Sequence, residues 1–147
     1  MDTSALAKLY IREDGSDRMV ELASSLQPQS LVILAIARIE FRSAVRRRQR
    51  AGDIPEDLAG QLVSQLQQDI ETTFLVQPVT EAVLEEAIGI IDRNVLRAYD
   101  AVQLAGCLTT MAALESRHVR FVCSDRELLE VAQAEGLEVW NPMSGAS

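Results

Sequence analysis

Hydrophobic and polar positions along the chain follow two periods, one helical and one extended, in alternation. Leu6, Leu9 and Tyr10 share a helical face, and Glu13-Asp14-Gly15-Ser16 then interrupts it as a turn. Met19, Val20, Leu22 and Ala23 mark a short helix. After Gln27-Pro28 comes a continuous apolar run, Leu31-Val32-Ile33-Leu34-Ala35, as a parallel strand buried on both faces requires. Helical spacing resumes from about Ile36 to Arg50 and ends at Gly52. Pro55 opens the next helix, at a first-turn position where its missing N–H costs nothing, and that helix runs to about Ile70.

The second half repeats the alternation. Thr73-Phe74-Leu75-Val76 is a strand, and Thr80 caps a helix carrying Val83, Leu84, Ala87, Ile90 and Ile91. A further helix from near Arg97 carries Val102, Leu104, Ala105 and Leu108. Arg120-Phe121-Val122-Cys123 is a strand ended by Ser124. The helix after it packs through Leu128, Leu129 and Ala132 and stops at Gly136, a C′ glycine. Leu137 to Trp140 form the last strand, closed by Asn141-Pro142. Strands separated by helices predict an α/β fold, a three-layer α/β/α domain around a parallel sheet. The 147 residues suit one domain, 1–147, with no repeat or linker.

Composition narrows the chemistry. Hydrophobic residues are 48% and charged residues 24% of the chain, an ordinary globular balance. No apolar run approaches the ~20 residues of a membrane span, and no secretory leader is visible, so the expected location is cytoplasmic with no membrane partner. Cys107 and Cys123 lie in apolar settings and read as buried thiols, and His118 sits in a polar stretch and reads as exposed. One histidine and two scattered cysteines do not make a structural zinc site. A metal here needs oxygen ligands, which selects Mg²⁺ or Mn²⁺. The net charge of −8 argues against a general nucleic-acid binder. Lys8 is the sole lysine and every other cation is arginine, either for the guanidinium's planar phosphate-binding fork or through the codon usage of a GC-rich genome.

Four acids stand where the alternating pattern brings them to one edge of the sheet, the carboxyl ends of its strands, where α/β folds keep their functional crevice. They are Asp2, Glu40, Asp100 and Asp125. Each also has a plain explanation. Asp2 reads as a solvated terminal residue, followed by Thr3-Ser4 as helix caps. Glu40 reads as a helix glutamate, although Ile36 and Ala44 on its own face make that face apolar. Asp100 suits the positive end of its helix. Asp125 follows Ser124, which forms an S-x-x-E capping box with Glu127. Singly none is convincing, and their shared address carries the weight.

The residues around these acids resemble a known family. Asp2-Thr3-Ser4-Ala5-Leu6-Ala7-Lys8-Leu9-Tyr10 resembles the opening motif of PIN-domain ribonucleases, specifically the VapC-type toxins of toxin–antitoxin pairs. Ile39-Glu40-Phe41-Arg42-Ser43-Ala44 is similar to the second acidic motif, and the segment from Leu96 to Ala105, with Asp100, to the third. Phe121 to Leu129 followed by Gly136 to Pro142 is similar to the closing block. The resemblance spans essentially the whole chain. It implies a parallel sheet of five strands in the order 3-2-1-4-5, with Asp2, Glu40, Asp100 and Asp125 as the metal set and Ser124 beside the last acid in the catalytic group. It implies a Mg²⁺- or Mn²⁺-dependent endoribonuclease leaving a 3′-hydroxyl and a 5′-phosphate, a homodimer, and a cognate antitoxin. Arg42, Arg46 and Arg97 are the candidates to hold RNA substrate. One departure stands out: the family carries a short apolar strand before the first aspartate, and here only Met1 precedes Asp2, so the first strand reads as truncated.

Two rival readings remain. A phospho-acceptor receiver or aspartate-nucleophile phosphatase wants a lysine late in the chain, whereas Lys8 lies in the first helix. A catalytically inactive PIN-like scaffold that only binds a partner is the alternative that the short first strand keeps open.

Overall fold

The computed structural model describes residues 1–115 and 119–144, so His118 lies outside the described residues. The helices are α1 (Thr3–Leu6), α2 (Ser16–Ser25), α3 (Ala37–Ala51), α4 (Glu56–Thr72), α5 (Glu81–Arg93), α6 (Ala98–Ala113) and α7 (Arg126–Ala134). A 3-10 turn over Ala7–Leu9 prolongs α1. The strands are β1 (Leu31–Leu34), β2 (Phe74–Gln77), β3 (Arg120–Val122) and β4 (Glu138–Trp140). Every element read from the apolar pattern is present within a residue or two of its expected bounds.

Local chemistry explains the ends. Thr80 Oγ1 accepts from the Val83 N–H and caps α5. After α7, Gly136 adopts φ +87°. Its N–H donates to Gln133 O and that of Leu137 to Ala132 O, the paired bonds of a Schellman stop. Gly15 also has φ +85°, and a β-carbon there would lie 2.9 Å from Pro142 O, so two constraints call for glycine. Pro55 departs slightly from expectation: it is the extended N-cap of α4, and the helix proper begins at Glu56.

The core has two main halves, one on each side of the strands. Leu6, Ile33, Phe41, Val45, Leu66 and Phe74 form one cluster, built from α1, α3 and α4 against β1 and β2. Leu34, Ile90, Leu104, Phe121 and Leu128 form the other, from α5, α6 and α7. Ile33 and its neighbour Leu34 thus bury into opposite clusters, which is why β1 is apolar throughout and not alternating. Each such side chain contributes about 1.5–3 kcal/mol on burial.

Among the described residues the strands form two short parallel sheets and not one of five strands. β1 pairs with β2 in parallel, Leu31 opposite Phe74. β3 pairs with β4 in parallel, Arg120 opposite Glu138, and these are two separate two-stranded sheets. Met1 and Asp2 lie between them. The Met1 amino group donates to Val32 O at 2.8 Å, and the Asp2 N–H to Val122 O at 2.9 Å. One bond to each side, before the chain turns into α1 at Thr3, is too short a contact to make a ladder.

Candidate functional site

The carboxyl ends of β1 and β3 both lead to the residues just after Met1. Asp2 is buried, 6% exposed, and caps α1 by accepting from the Ser4 N–H at 2.8 Å. It is therefore neither solvated nor followed by its helix cap: it is the cap. That frees the next two side chains for longer reach. Thr3 Oγ1 donates to Glu40 Oε2 at 2.6 Å. Ser4 Oγ accepts from the Ser124 N–H at 2.9 Å and so ties α1 to the turn after β3.

Glu40, near the start of α3, faces this group. Besides Thr3, it accepts from Gln103 Nε2 at 2.5 Å, and the same amide also donates to Thr3 Oγ1 at 3.1 Å. Gln103 is 3% exposed, so α6 sends a buried amide into the site. Burial pushes the Glu40 carboxyl above its ordinary range; the bonds from Thr3 and Gln103 oppose this, and the charges of Asp2 and Asp100 push it further up. Asp2 and Asp100 thus both lie within reach of the Glu40 carboxyl's charge.

Asp100 and Asp125 are joined through a cation. Arg97, the N-cap residue of α6, reaches Asp100 Oδ2 with Nε at 2.7 Å and Asp125 Oδ2 with Nη2 at 3.5 Å. Asp125 is the N-cap of α7 and accepts from the Leu128 N–H at 3.2 Å. The capping role expected of Ser124 thus belongs to Asp125. Ser124 Oγ is buried and has no hydrogen-bond partner among the described residues. Extended backbone at Asp125 (φ −83°, ψ 119°) puts the cap one residue later than the S-x-x-E spacing suggests.

The donor set among the described residues suits a hard divalent cation: four carboxylates from separate segments and a buried hydroxyl at Ser124. Cys123 Sγ lies 3.6 Å from Asp2 Oδ2, but burial first and the Asp2 charge second push its thiol up to about 12, so it stays protonated and adds no soft ligand. The acids are not drawn round one point. Among the described residues no three of His, Cys, Asp or Glu stand close enough to ligate one ion as they are placed, and Arg97 occupies the space between two of them.

The other arginines divide. Arg42 is exposed at the mouth of a hollow between α3 and α4, beside Arg38. Arg46 donates to Gln49 within α3, and Arg48 pairs with Glu13, so these two α3 arginines are engaged in structure. Arg93 pairs with Glu135 and Glu86. Of the α4 leucines, Leu66 is core, Leu62 packs against it and Leu58 is exposed. Sequence reading did not single out Gln103, Thr3 or Ser4 for the site. A glutamine on the apolar face of α6, between Ala101 and Leu104, was the one available signal.

Comparison with curated proteins finds no match. The PIN domain family model matches residues 1–134, which takes in all four acids, Gln103 and Arg97. With that match over nearly the whole chain, the protein belongs to the PIN domain family.

Proposed function

We propose that the protein is a Mg²⁺- or Mn²⁺-dependent endoribonuclease, the toxin of a toxin–antitoxin pair, with Asp2, Glu40, Asp100 and Asp125 holding the metal. PIN domains are generally metal-dependent nucleases. The observation that supports the reading is a chain of links among acids from four separate segments: Asp2 and Asp100 act on the Glu40 carboxyl, and one guanidinium spans Asp100 and Asp125. Packed carboxylates repel one another, so a fold that gathers them gains most when a cation binds.

The chain's own residues have distinct tasks in this reading. Ser4 N–H fixes the Asp2 carboxylate, and the Leu128 N–H fixes that of Asp125. Thr3 and Gln103 hold one oxygen of Glu40, and the other has no partner among the described residues. Arg97 neutralises Asp100 and Asp125, and its guanidinium would be available to a substrate phosphate if those acids held a divalent ion. Arg42 and Arg46 extend the contact to RNA from α3. A bound divalent ion supplies an activated water and neutralises charge on the phosphoryl oxygens.

The toxin role, the homodimer and the antitoxin rest on the resemblance of the four motifs. The decisive experiment incubates the purified chain with single-stranded RNA and Mn²⁺ or Mg²⁺. Cleavage abolished by EDTA and by Asp100→Asn is expected. Equal cleavage by the variant, or cleavage indifferent to EDTA, refutes the metal-nuclease reading. The seating of Arg97 between two of the acids favours one rival, a catalytically inactive scaffold; absence of cleavage with every ion and RNA tested would select it.

A further inference from the structure

We infer that Tyr99 is a stacking platform for one unpaired base of the RNA, placed so that a phosphate next to that base meets Arg97. RNA as the ligand rests on the metal-nuclease reading above; the platform itself rests on the geometry at the start of α6.

Residues 97–99 lead into α6 at the surface, directly ahead of Asp100. The Arg97 side chain is 77% exposed and Tyr99 is 57% exposed, whereas the Asp100 side chain is 19% exposed. A tyrosine ring gains most by leaving water, and Tyr10 shows the usual outcome. It packs edge-on against Phe41 with ring centroids 5.2 Å apart, and its hydroxyl donates to Asp69 at 2.7 Å. Among the described residues no ring stacks on Tyr99 and no cation covers its face.

Helical geometry fixes where that face stands. Residues four apart on an α-helix lie about 40° apart round the axis, and neighbours about 100°. Tyr99 is therefore one turn before Gln103 on nearly the same side of α6. Gln103 is buried in the site, bonded to Glu40 and Thr3. Tyr99, one turn closer to the helix start, stands at the rim above that contact. Asp100 comes next round the axis, and Arg97 leans away to Asp125 at the start of α7. The rim at Asp100 thus carries a free aromatic face on the side of Glu40 and an exposed guanidinium on the side of Asp125.

These two groups match the two parts of a nucleotide. An aromatic face takes a base by stacking, and a guanidinium takes a phosphate through its planar fork. The net charge of −8 opposes binding through phosphates alone, and a stacked base adds attraction that does not depend on charge. A base in a duplex is held by its pair and stacked on both faces, so the platform selects single-stranded segments.

The test measures binding of a labelled single-stranded RNA of about ten nucleotides by fluorescence anisotropy in EDTA, with the parent, Tyr99→Phe and Tyr99→Leu. Tyr99 is exposed, so all three should share one thermal midpoint. Tyr99→Phe is expected to bind within about twofold of the parent and Tyr99→Leu about fivefold or more weakly, the loss of one base–aromatic stack. Replacing the nucleotides one at a time by an abasic residue should weaken the parent at one position where Tyr99→Leu shows no further loss. The Tyr99→Leu penalty should vanish when the RNA is annealed into a duplex. Equal binding by the parent and Tyr99→Leu overturns the platform and leaves Tyr99 as a contact for a protein partner. It is overturned as well if Tyr99→Phe binds as weakly as Tyr99→Leu, if every abasic position costs both forms alike, or if the parent binds no RNA in EDTA or with Mn²⁺. A parent that binds RNA through Tyr99 and cleaves it with no divalent ion refutes the metal-nuclease reading and leaves the platform standing.

Discussion

Replacing Gln103 by leucine tests how the site is held. The side chain is 3% exposed and keeps its volume as leucine, so the change removes hydrogen bonds and little packing. The lost bonds are Nε2 to Glu40 Oε2 at 2.5 Å and to Thr3 Oγ1 at 3.1 Å. A bond to a charged acceptor contributes about 1.5–3 kcal/mol and a neutral one about 0.5–1.5 kcal/mol. Relief from burying an amide offsets part of this, leaving about 1–2 kcal/mol at pH 7. In a domain of this size that lowers the thermal midpoint by roughly 2–8 °C. The pH dependence distinguishes the mechanism. The Gln103 bond favours ionised Glu40, so its contribution is present while Glu40 is charged and is lost as pH falls through the Glu40 pKa, which lies above the ordinary 4.5. Melting both proteins in EDTA at pH 7 and at pH 4 should show a gap that closes at the lower pH. The coupling should also shrink in a Glu40→Gln background, where a neutral amide oxygen replaces the charged acceptor. An equal loss at both pH values, or an undiminished one in that background, would mean that Gln103 acts through packing alone.

Three further outcomes follow from the same geometry. Glu40→Gln should melt higher than the parent in metal-free buffer at pH 7. Burial and neighbouring acids raise the Glu40 pKa, so the stability it contributes is full below 4.5 and lost as pH rises through the folded value; the advantage of glutamine should fade toward pH 4, and Mn²⁺ should stabilise only the parent. Arg97→Ala should tighten Mn²⁺ up to about fivefold, since an exposed pair is worth ~1 kcal/mol or less, and calorimetry showing weaker binding would mean that Arg97 organises the acids and does not compete for them. Gly15→Ala should cost about 1–3 kcal/mol in denaturant unfolding, because φ is +85° and the new β-carbon meets Pro142 O at 2.9 Å.

The candidate site was legible in part. Asp100 and Glu40 sit within long apolar helices, where a carboxylate stands out, and the structure draws them into one electrostatic neighbourhood. Asp2 and Asp125 were read with the wrong caps. Capping depends on one residue's ψ angle, which spacing does not encode: Thr3, Ser4 and Ser124 look like caps in sequence, but Asp2 and Asp125 do the capping. The role of Gln103 was hidden for a related reason, since its partners Thr3 and Glu40 lie 100 and 63 residues away along the chain.

The sequence by itself determined the order and kind of elements, because apolar periodicity and glycine stops are local properties that survive any packing. It also determined that the strands are parallel and doubly covered, since Leu31–Leu34 has no polar face to give to water. Only the tertiary structure decided how those strands pair. Ladders form between edges that meet in space, and here Met1 and Asp2 reach both neighbours with single bonds, so two pairs of strands stand apart across a cleft. The tertiary structure likewise decided that Arg97 lies between Asp100 and Asp125, because the charge of a guanidinium finds whichever carboxylates the packing of α6 against α7 leaves within its reach.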